Sequence, residues 1–522
     1  MVSDLETISD YSSSLPSSTQ RRLDGWRIRT VEGFDVDLRS QVYHDEPREE
    51  VVSRWGDILS GFDLGPVLED FENSERDGIG PYSLQQPWAE RRERALNIMA
   101  DRDWQPDWEA LERAARRLET ILPPRSLRPL AVDAALERLP KTTNMGLPWF
   151  TRDRTYLSSY RQRANRIIAG QDDTLYPFVL GWRGQPGGMH PKPWTKQRDL
   201  QMSEKAEGIL GARYVYPIID ALKTKPEFVA WTDLDAVGTV VKSLLLTAGK
   251  AGVRVFSTDY SGYDQSIPVG LFEIAWNIIE SWFPSTEARV LNILFDHYMT
   301  AGLLTPDGLW VGRSGGIASG IVFTGVAGTV INILIAFYIS EVLGIRHLGG
   351  TYLGDDALNV WMDDVSEEEV QDVGATLNVD LNASKQFVAE DAAHYLQNVY
   401  VLSGDTLRNG GGVRPTMRAL NGMLSYERRR RKDEWNDYMA SMRAVMQLEN
   451  CKHHPAFREF VKFVAQGDRR LLEMDVPQIA KLAGGVDRIE QVLGVAAFRY
   501  TSQNVSSLAS FATTEVLRQL RS

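Results

Sequence analysis

The most constraining feature of the sequence is a pair of adjacent carboxylates between two short apolar runs. Gly354, Asp355 and Asp356 separate residues 351–353 from residues 358–361. The pattern predicts a strand, a tight turn and a second strand, with the glycine easing the turn. Neighbouring carboxylates repel each other unless a cation lies close, and charges are costly at the tip of a buried hairpin. The sequence therefore favours a cation site over an ordinary exposed turn.

Another carboxylate follows a second predicted strand. The β-rich run 253–258 ends at Asp259, and Asp264 comes five residues later. A carboxylate at the end of one strand can meet carboxylates at the tip of a neighbouring strand. Mg²⁺ prefers carboxylate and water oxygens, and a pair of such ions can activate a hydroxyl and stabilise a leaving phosphate. For Asp259 on its own, a helix N-cap is the alternative interpretation.

A loop rich in glycine and serine leads into a long apolar segment, and residues 314–340 carry no charge. Ser319 lies in the loop; Thr324 and Asn332 follow, eight residues apart, so they lie roughly on one helix face. Hydroxyl and amide groups there could bind a ribose, with Asp264 opposite. The segment is long enough to cross a bilayer. Polar residues within it favour a buried helix instead, and no membrane insertion is expected.

Composition limits the class of protein. A chain of 522 residues with 43% apolar and 25% charged residues is typical of a folded globular protein with more than one lobe. The net charge of −12 argues against a wholly basic surface, yet residues 150–213 are net positive and contain interspersed aromatic residues. That mixture suits a groove that follows a nucleic-acid strand, although a solvated surface is the alternative. The basic residues expected to contact nucleic-acid phosphates include Arg152, Arg154, Arg161 and Arg163.

Three groups of residues, in this order and spacing, resemble motifs A, B and C of viral RNA-dependent RNA polymerases. They are Asp259-x4-Asp264, Ser319-Gly320-x3-Thr324-x7-Asn332 and Gly354-Asp355-Asp356. The interval from Thr324 to Asn332 is longer than in picornaviruses, which have asparagine where Gly328 stands here. It resembles the interval in partitiviruses and picobirnaviruses, which are segmented double-stranded RNA viruses. The length of the chain favours the picobirnaviruses.

Less specific matches extend the resemblance over residues 140–400. Arg213 resembles the motif F arginine over the incoming triphosphate, and Lys385 the motif D lysine, a candidate general acid for pyrophosphate. Tyr395 and Leu396 resemble motif E, beside the primer strand. The motif G residues expected to line the template entrance are Thr143, Gly146 and Pro148. A surface arginine and a solvated lysine are the alternatives for Arg213 and Lys385.

The resemblance implies an α+β fold, a closed right hand in which an antiparallel palm sheet is backed by helices. The N-terminal region and fingers are expected in residues 1–220, and the palm with motif A in residues 221–296. A fingers insert is expected in residues 297–315, and the rest of the palm in residues 316–400. Residues 401–522 would form the thumb and a C-terminal tail. The polar end of that tail is expected to be mobile and to support initiation.

The implied function is an RNA-directed RNA polymerase that replicates and transcribes a viral genome without a primer. Two Mg²⁺ ions, with Mn²⁺ as an alternative, would be bound by Asp259 and Asp355, with Asp356 in support. The residues expected to bind the nucleotide and select ribose are Asp264, Ser319, Gly320, Thr324 and Asn332. The implied partners are a single-stranded RNA template, product RNA and nucleoside triphosphates, and a capsid-protein contact is left open. The implied location is the virion interior and the host cytoplasm.

Two other functions compete with this interpretation. A reverse transcriptase shares the palm, but such enzymes usually carry a bulky aromatic residue where ribose would lie and a different residue before the aspartate pair. Asp264 and Gly354 argue against it. A membrane-anchored scaffold would use residues 314–340 as its anchor. Incorporation of ribonucleotides and flotation with lipid, respectively, distinguish these alternatives.

Overall fold

Helices and three small sheets make up the computed structural model, which describes residues 8–140, 143–363, 365–402, 411–493 and 505–521. Most neighbouring strands are antiparallel, and helices pack against the sheets on several sides. The α+β class predicted from the sequence is confirmed. The domain boundaries stay a prediction.

The strands form sheets in the orders β2-β1-β4-β5, β6-β7-β3-β8 and β10-β9. Their bounds are β1 Phe178–Gly188, β2 Trp194–Met202, β3 Val255–Thr258, β4 Leu303–Thr305, β5 Gly308–Trp310, β6 His347–Leu353, β7 Asp356–Trp361, β8 Phe387–Ala389, β9 Ala392–Tyr395 and β10 Asn398–Val401.

The α-helices precede, separate and follow these strands in the sequence. The first eleven are α1 Ile8–Ser13, α2 Ser17–Glu32, α3 Arg48–Leu59, α4 Pro66–Asp77, α5 Trp88–Leu96, α6 Trp108–Glu119, α7 Val132–Arg138, α8 Leu157–Ile168, α9 Lys205–Leu222, α10 Leu234–Ala251 and α11 Tyr263–Ser266. The others are α12 Val269–Ser281, α13 Ala288–Thr300, α14 Thr324–Leu343, α15 Glu367–Thr376, α16 Thr416–Leu424, α17 Asp437–Glu449, α18 Phe457–Gly467, α19 Arg470–Glu473, α20 Val476–Leu482, α21 Val486–Leu493 and α22 Ala512–Arg521.

The carboxylate hairpin predicted from the sequence is formed by β6 and β7. Leu353 pairs with Asp356, so Gly354 and Asp355 form a two-residue turn. Gly354 has a φ of +60°, a conformation that glycine adopts without steric cost. Every residue of β7 after Asp356 is buried, which explains the continuous apolar run in the sequence.

The long apolar segment forms α14, which lies in the core of the protein. It is the one helix within the described ranges that is long and apolar enough to cross a membrane, with a mean hydropathy of 1.9. Of its apolar window, 83% is buried inside the protein. It packs against α6, α12 and β6, so the same apolarity is accounted for by helix and sheet packing.

A second sheet combines two hairpins that are distant in the chain. β1 and β2 pair over a long antiparallel register, and β4 lies parallel to β1 with Phe178 opposite Leu303. The turn between β4 and β5 contains Pro306 and Asp307, residue types that favour tight turns. Residues 303–310 therefore extend the sheet that begins with residues 178–202.

The C-terminal helices share a core with part of the N-terminal region. Side chains from residues 42–79 pack with those of α16 to α22 in one apolar cluster. The indole of Trp55 donates a hydrogen bond to the Thr416 hydroxyl over 2.8 Å. The Glu72 carboxylate accepts bonds from the Thr416 and Met417 amides at the start of α16. Residues 42–79 and the C-terminal helices are thus joined by a shared apolar core and by side-chain hydrogen bonds.

The end of the chain differs from the mobile tail predicted from its Ser/Thr content. Residues 505–510 form a 3₁₀ helix and α22 follows, with Thr513 and Leu517 fully buried. Glu449 accepts hydrogen bonds from the Ala512 and Thr513 amides, which caps α22 from α17. The prediction of a mobile tail is therefore wrong for residues 505–516. Burial of the apolar face of an amphipathic helix stabilises this segment although it is rich in Ser and Thr. Residues 494–504 lie outside the described residues.

Candidate active site

Strand register brings the predicted carboxylates to one end of the two central strands of the β6-β7-β3-β8 sheet, the palm sheet. We call this end of the sheet the carboxylate edge. In the β3–β7 ladder Thr258 lies opposite Ala357, so Asp259 follows β3 at the level where β7 begins with Asp356. Asp355 occupies the adjoining turn. All three side chains are open to solvent, whereas the strands that carry them are buried. The arrangement concentrates three negative charges on a rigid apolar support.

Desolvation and the neighbouring carboxylates raise the pKa values of Asp356 and Asp259. Solvent reaches the Asp356 side chain, but the surrounding protein displaces bulk water, and this desolvation is the main cause that raises its pKa to about 7. Asp355 and Asp259 raise it further. Desolvation and Asp355 also raise the pKa of Asp259, while Lys385 lowers it. The site therefore favours a bound cation over three free carboxylates.

Asp264 lies in the short helix α11 after β3 and contacts the glycine-rich loop. Ser319 Oγ donates a hydrogen bond to Asp264 Oδ2 over 2.7 Å. The Ile317 amide donates to the Asp264 carbonyl over 2.6 Å, which holds the loop against α11. Burial raises the pKa of the Asp264 carboxyl to about 6, and Asp355 raises it as well. Asp264 and Ser319 are therefore brought together beside the carboxylate edge.

Asn332 is not opposite Asp264, and this corrects the expected contact. Asn332 is fully buried, and its Nδ2 donates to the Gly354 carbonyl over 2.9 Å. Its Oδ1 accepts a bond from the Tyr260 hydroxyl over 2.8 Å. The physical reason is that α14 packs against the β6–β7 hairpin. A residue more than two helical turns after the start of α14 therefore contacts the Gly354 turn and not the glycine-rich loop.

Thr324 and Gly320 have local roles in the same loop. Thr324 Oγ1 donates to the Ala318 and Ile321 carbonyls, which supports the loop at the start of α14. At Gly320 an added Cβ would lie 1.9 Å from the Gln201 carbonyl oxygen, so β2 approaches the loop too closely for any side chain. In the described structure the polar contacts of Thr324 are to its own loop.

Arg213 is not at the carboxylate edge, contrary to its assignment over the triphosphate. It is almost fully buried in α9, where Nε donates to the Leu130 carbonyl and Nη2 lies 3.4 Å from Glu287. An apolar helix with one paired arginine is a packing arrangement. The arginine expectation is therefore wrong for the described conformation.

Two cations of β2 act electrostatically on the carboxylates instead of Arg213. Lys196 and Arg198 alternate along β2 with buried neighbours, so both are exposed on one face. Their charges lower the pKa of Asp259, and Arg198 also lowers that of Asp264 and Asp356. The residues lay within the basic stretch of the sequence, and the alternation of β2 was the signal that could have singled them out.

Lys385 lies near the carboxylates as expected. It ends a 3₁₀ turn, Ala383–Lys385, and its side chain is exposed. Its charge is the largest favourable influence on the ionised form of Asp259. Together with Lys196 and Arg198 it forms a positive rim that can attract a polyphosphate.

Most of the residues expected at the template entrance are buried. Thr143 is exposed, whereas Gly146 and Pro148 are buried. Gly146 has a φ of +66°, and an added Cβ there would lie 2.3 Å from the Ser203 carbonyl oxygen. The segment is thus packed against the chain between β2 and α9, and whether it lines a template path stays a prediction.

The basic stretch before β1 is partly structural. Arg163 is paired with Glu204 over 2.8 Å and with Asp172 over 2.9 Å, and Arg161 lies 2.6 Å from Asp133. Guanidinium groups satisfied in this way hold helices together more than they contact phosphate. The expectation that all four arginines face the template is therefore wrong for Arg163, which is largely buried.

Arg102 was missed by sequence reasoning, although it organises the glycine-rich loop. Its Nε donates to the Gln265 carbonyl over 2.6 Å and its Nη1 to the Ser314 carbonyl over 2.7 Å. A Cβ at Gly316 would lie 2.9 Å from its Nη2. One guanidinium thus joins α11, which bears Asp264, to the loop that bears Ser319. A single arginine outside the motifs gives no sequence signal for this.

The carboxylates fit Mg²⁺ by their donor chemistry. Over the described ranges, no group of three or more His, Cys, Asp or Glu side chains forms a ready-made metal cage. Mg²⁺ is normally held by one or two carboxylates together with water and substrate phosphates, so a complete protein cage is not required. Asp259 and Asp355, with Asp356 beside them, supply such donors, and all three carboxylates are exposed at the ends of buried strands.

Comparisons with known proteins identify polymerases that are similar to this chain. Residues 196–451 match the family model described as viral RNA-dependent RNA polymerase. A potential RNA-dependent RNA polymerase of human picobirnavirus is 26% identical over 464 residues, covering 86% of this chain and 85% of that protein. The RNA-directed RNA polymerase of Cryptosporidium parvum virus 1 is 26% identical over 247 residues, 44% of this chain and 45% of that protein.

Solved structures show the same fold. Crystal structures of the RNA-dependent RNA polymerase of a human picobirnavirus, and of its insertion-loop deletion mutant, each match with a TM-score of 0.82. Each match is 22% identical and covers 99% of this chain and 100% of the other. The chain therefore has the right-hand polymerase fold that the resemblance implied.

Fold, site and family model together define a template-copying nucleotidyltransferase. Residues 196–451 form a viral RNA-dependent RNA polymerase domain, and the chain is an RNA-directed RNA polymerase that is similar to a picobirnavirus polymerase. RNA and nucleotides are the substrates that such an enzyme implies.

Asp356→Asn should stabilise the metal-free protein at pH 8. Asp356 has a pKa of about 7 when folded against an ordinary 3.8, so its protonated form favours the folded state. That contribution is present below about pH 4 and is lost as the pH rises through 7. Urea unfolding with a chelator should show a gain for the variant at pH 8 that disappears near pH 4. Asp173→Asn, at an exposed carboxylate elsewhere, is the control, and equal stability of variant and wild type at pH 8 would contradict this.

Arg102→Lys should lower kcat/KM for nucleotides by about tenfold or more, since hydrogen bonds from a charged donor each contribute about 1.5–3 kcal/mol. Lysine keeps the charge but cannot span the carbonyls of Gln265 and Ser314. Steady-state incorporation kinetics measure the effect. Arg113→Lys, at an exposed arginine of α6 that pairs with Glu341, is the matched control. Unchanged kinetics in Arg102→Lys would show that the loop does not depend on this residue.

Proposed function

We propose that the enzyme replicates and transcribes a viral RNA genome by two-metal nucleotidyl transfer at Asp259 and Asp355, supported by Asp356. The observation that carries the proposal is the β3–β7 register, in which Asp259 lies beside the Asp355 turn. Bound Mg²⁺, or Mn²⁺ in its place, would activate the 3′-hydroxyl and neutralise charge on the leaving pyrophosphate.

The chain's own residues would bind and orient the nucleotide. Lys196 and Arg198 would pair with the triphosphate, since both are exposed on the face of β2 that influences the aspartates. Lys385 would hold the proton that the leaving pyrophosphate takes up. Electrostatic guidance by these cations would draw the triphosphate to a site that otherwise repels it.

Sugar selection would depend on Asp264 and Ser319. Asp264 can accept a hydrogen bond from a ribose 2′-hydroxyl, and the Ser319 hydroxyl holds the carboxylate in place over 2.7 Å. A deoxyribonucleotide would leave that buried carboxylate short of a partner. This favours an RNA-synthesising enzyme over the alternative of a reverse transcriptase.

Initiation without a primer and the site of action are further parts of the proposal. Both are supported by the resemblance to polymerases of double-stranded RNA viruses. Residues 505–521 are docked on the C-terminal core, so a surface that supports the first nucleotide pair is expected in another segment. The virion interior and the host cytoplasm remain the proposed locations, and a capsid contact remains open.

Asp355→Asn and Asp259→Asn should each reduce RNA synthesis by on the order of 10²-fold or more, because groups that stabilise developing charge contribute that much at other sites. Extension of a single-stranded RNA template with Mg²⁺ and labelled nucleotide measures the loss. Both proteins should remain folded, since neither carboxylate packs in the core. Asp173→Asn again serves as the control. Near-normal extension by Asp355→Asn would exclude the proposed mechanism.

Asp264→Ala and Ser319→Ala should each lower the ratio of ribonucleotide to deoxyribonucleotide incorporation efficiency. Where a site binds a substrate hydroxyl, that ratio can reach on the order of 10⁴. The loss should fall mainly on ribonucleotide use. Competition between a ribonucleotide and its deoxy analogue gives the ratio. Asn332→Ala should instead lower the free energy of unfolding by about 1–3 kcal/mol, because it leaves buried polar groups unpaired, and leave the ratio unchanged. A ratio that falls only in Asn332→Ala would show that sugar choice was assigned to the wrong residues.

A further inference from the structure

A basic hollow lies between the N-terminal region and the segment before α17. Two adjoining pockets share Arg428, Arg429, Arg430 and Trp435, and the larger has a volume of about 550 Å³. We call this surface the arginine cleft. Its guanidinium groups belong to Arg39, Arg152, Arg428, Arg429, Arg430 and Arg431. The carboxylates in its lining are Asp37 and Glu434, so positive charge exceeds negative by four.

The few acids near the cleft are largely committed to other partners. Asp37 is paired with Arg48 over 2.7 Å, and Arg431 uses Asp433 over 2.6 Å. Glu434 is 4.0 Å from Arg154, which lies outside the cleft lining. Within the described ranges, no ion pair joins Arg152 or Arg428 to an acid. The cleft therefore retains uncompensated positive charge.

The clustered arginines show the cost of this arrangement. Burial, followed by Arg443 and Arg428, lowers the pKa of Arg430 to about 10. Burial and Arg428 also lower the pKa of Arg152. Arg430 Nε is buried without a hydrogen-bond partner in the described structure. Like charges held together with an unused donor are what a bound anion would stabilise.

Aromatic rings support the guanidinium groups. Arg430 lies 4.4 Å from the centroid of the Trp435 ring and 5.8 Å from that of Tyr426. Arg429 lies 5.4 Å from the ring centroid of Phe34. Stacking of this kind orients the planar donors while leaving N–H groups available at their edges. Arginines interleaved with aromatic side chains suit a nucleic-acid strand.

The cleft is separate from the catalytic carboxylates. The cations that influence the pKa values of Asp259, Asp264 and Asp356 are Lys196, Arg198, Lys385 and Arg418, and none of them lines the cleft. Contacts on its border connect it with the polymerase body: Glu427 accepts a hydrogen bond from the Gly184 amide of β1 over 3.2 Å. Arg152 comes shortly after the Gly146 segment in the chain.

We propose that the arginine cleft binds the phosphates of a single RNA strand outside the catalytic site. This rests on the proposed function, since it takes RNA to be the substrate. Planar guanidinium groups bind phosphate oxygens in pairs, and four excess charges suit several successive phosphates better than one. The cleft gives the enzyme a hold on RNA that does not depend on base pairing at the catalytic aspartates.

The test compares Arg428→Glu/Arg429→Glu with a control of equal charge change, Arg116→Glu/Lys250→Glu. All four side chains are exposed, and the control pair lies on α6 and α10, away from the cleft. Fluorescence anisotropy with a labelled single strand of about 30 nucleotides, at several salt concentrations, gives affinity and its salt dependence. The cleft variant should bind at least about tenfold more weakly, with a salt slope smaller by about one to two. The control should retain most of the affinity.

Unchanged affinity and salt slope in the folded cleft variant would overturn the proposal. If that variant does not fold, Arg428→Ala should still lower the slope by about one. Displacement of RNA by polyglutamate as effectively as by unlabelled RNA would also overturn it, since the cleft would then recognise an acidic protein segment. Template extension is measured in parallel: a wild type that extends no RNA would refute the proposed function, while the binding data still decide the role of the cleft.

Discussion

The geometry of the site depends on two hydrogen bonds between the backbone of Gly354 and side chains of α14. The Gly354 amide donates to Thr329 Oγ1 over 2.9 Å, and its carbonyl accepts from Asn332 Nδ2 over 2.9 Å. Both partners are fully buried in α14, one helical turn apart. A Cβ at Gly328, on the same helix, would lie 3.4 Å from Gly354 Cα. The buried helix therefore fixes the turn that presents Asp355, and a mobile turn could not hold two carboxylates against their repulsion.

Local sequence patterns predicted the elements of this site well. The strand before Asp259, the hairpin around Gly354 and Asp355, and a buried helix after Ser319 all follow from periodicity and turn chemistry. These predictions succeeded because the local preference and the final fold agree at those positions. The proximity of Asp259 to the Asp355 turn also followed from the motif order, whereas the register that creates it is a long-range property.

Side-chain partners were predicted less well, because they depend on distant segments. Arg213 and Arg163 looked like phosphate-binding residues, yet Glu287 and Glu204 pair with them inside the protein. An arginine in a sequence carries no sign of whether an acid far along the chain will lie beside it. The same applies to Arg102, whose importance arises only where it meets the carbonyls of Gln265 and Ser314.

Negative and positive side chains at the site are carried by separate sheets. The carboxylates stand at the open end of buried strands, while Lys196 and Arg198 approach them from a separate sheet rather than as tight ion pairs. A direct salt bridge would quench the carboxylates and compete with a cation for them. Cations at a greater distance still attract a polyphosphate, because the field of the site acts beyond contact range. The carboxylates and the cations therefore lie on two sheets from distant parts of the chain, and α14 joins these sheets. A hydrogen bond from α14 holds the Gly354 turn, and the loop that precedes α14 packs against β2 at Gly320.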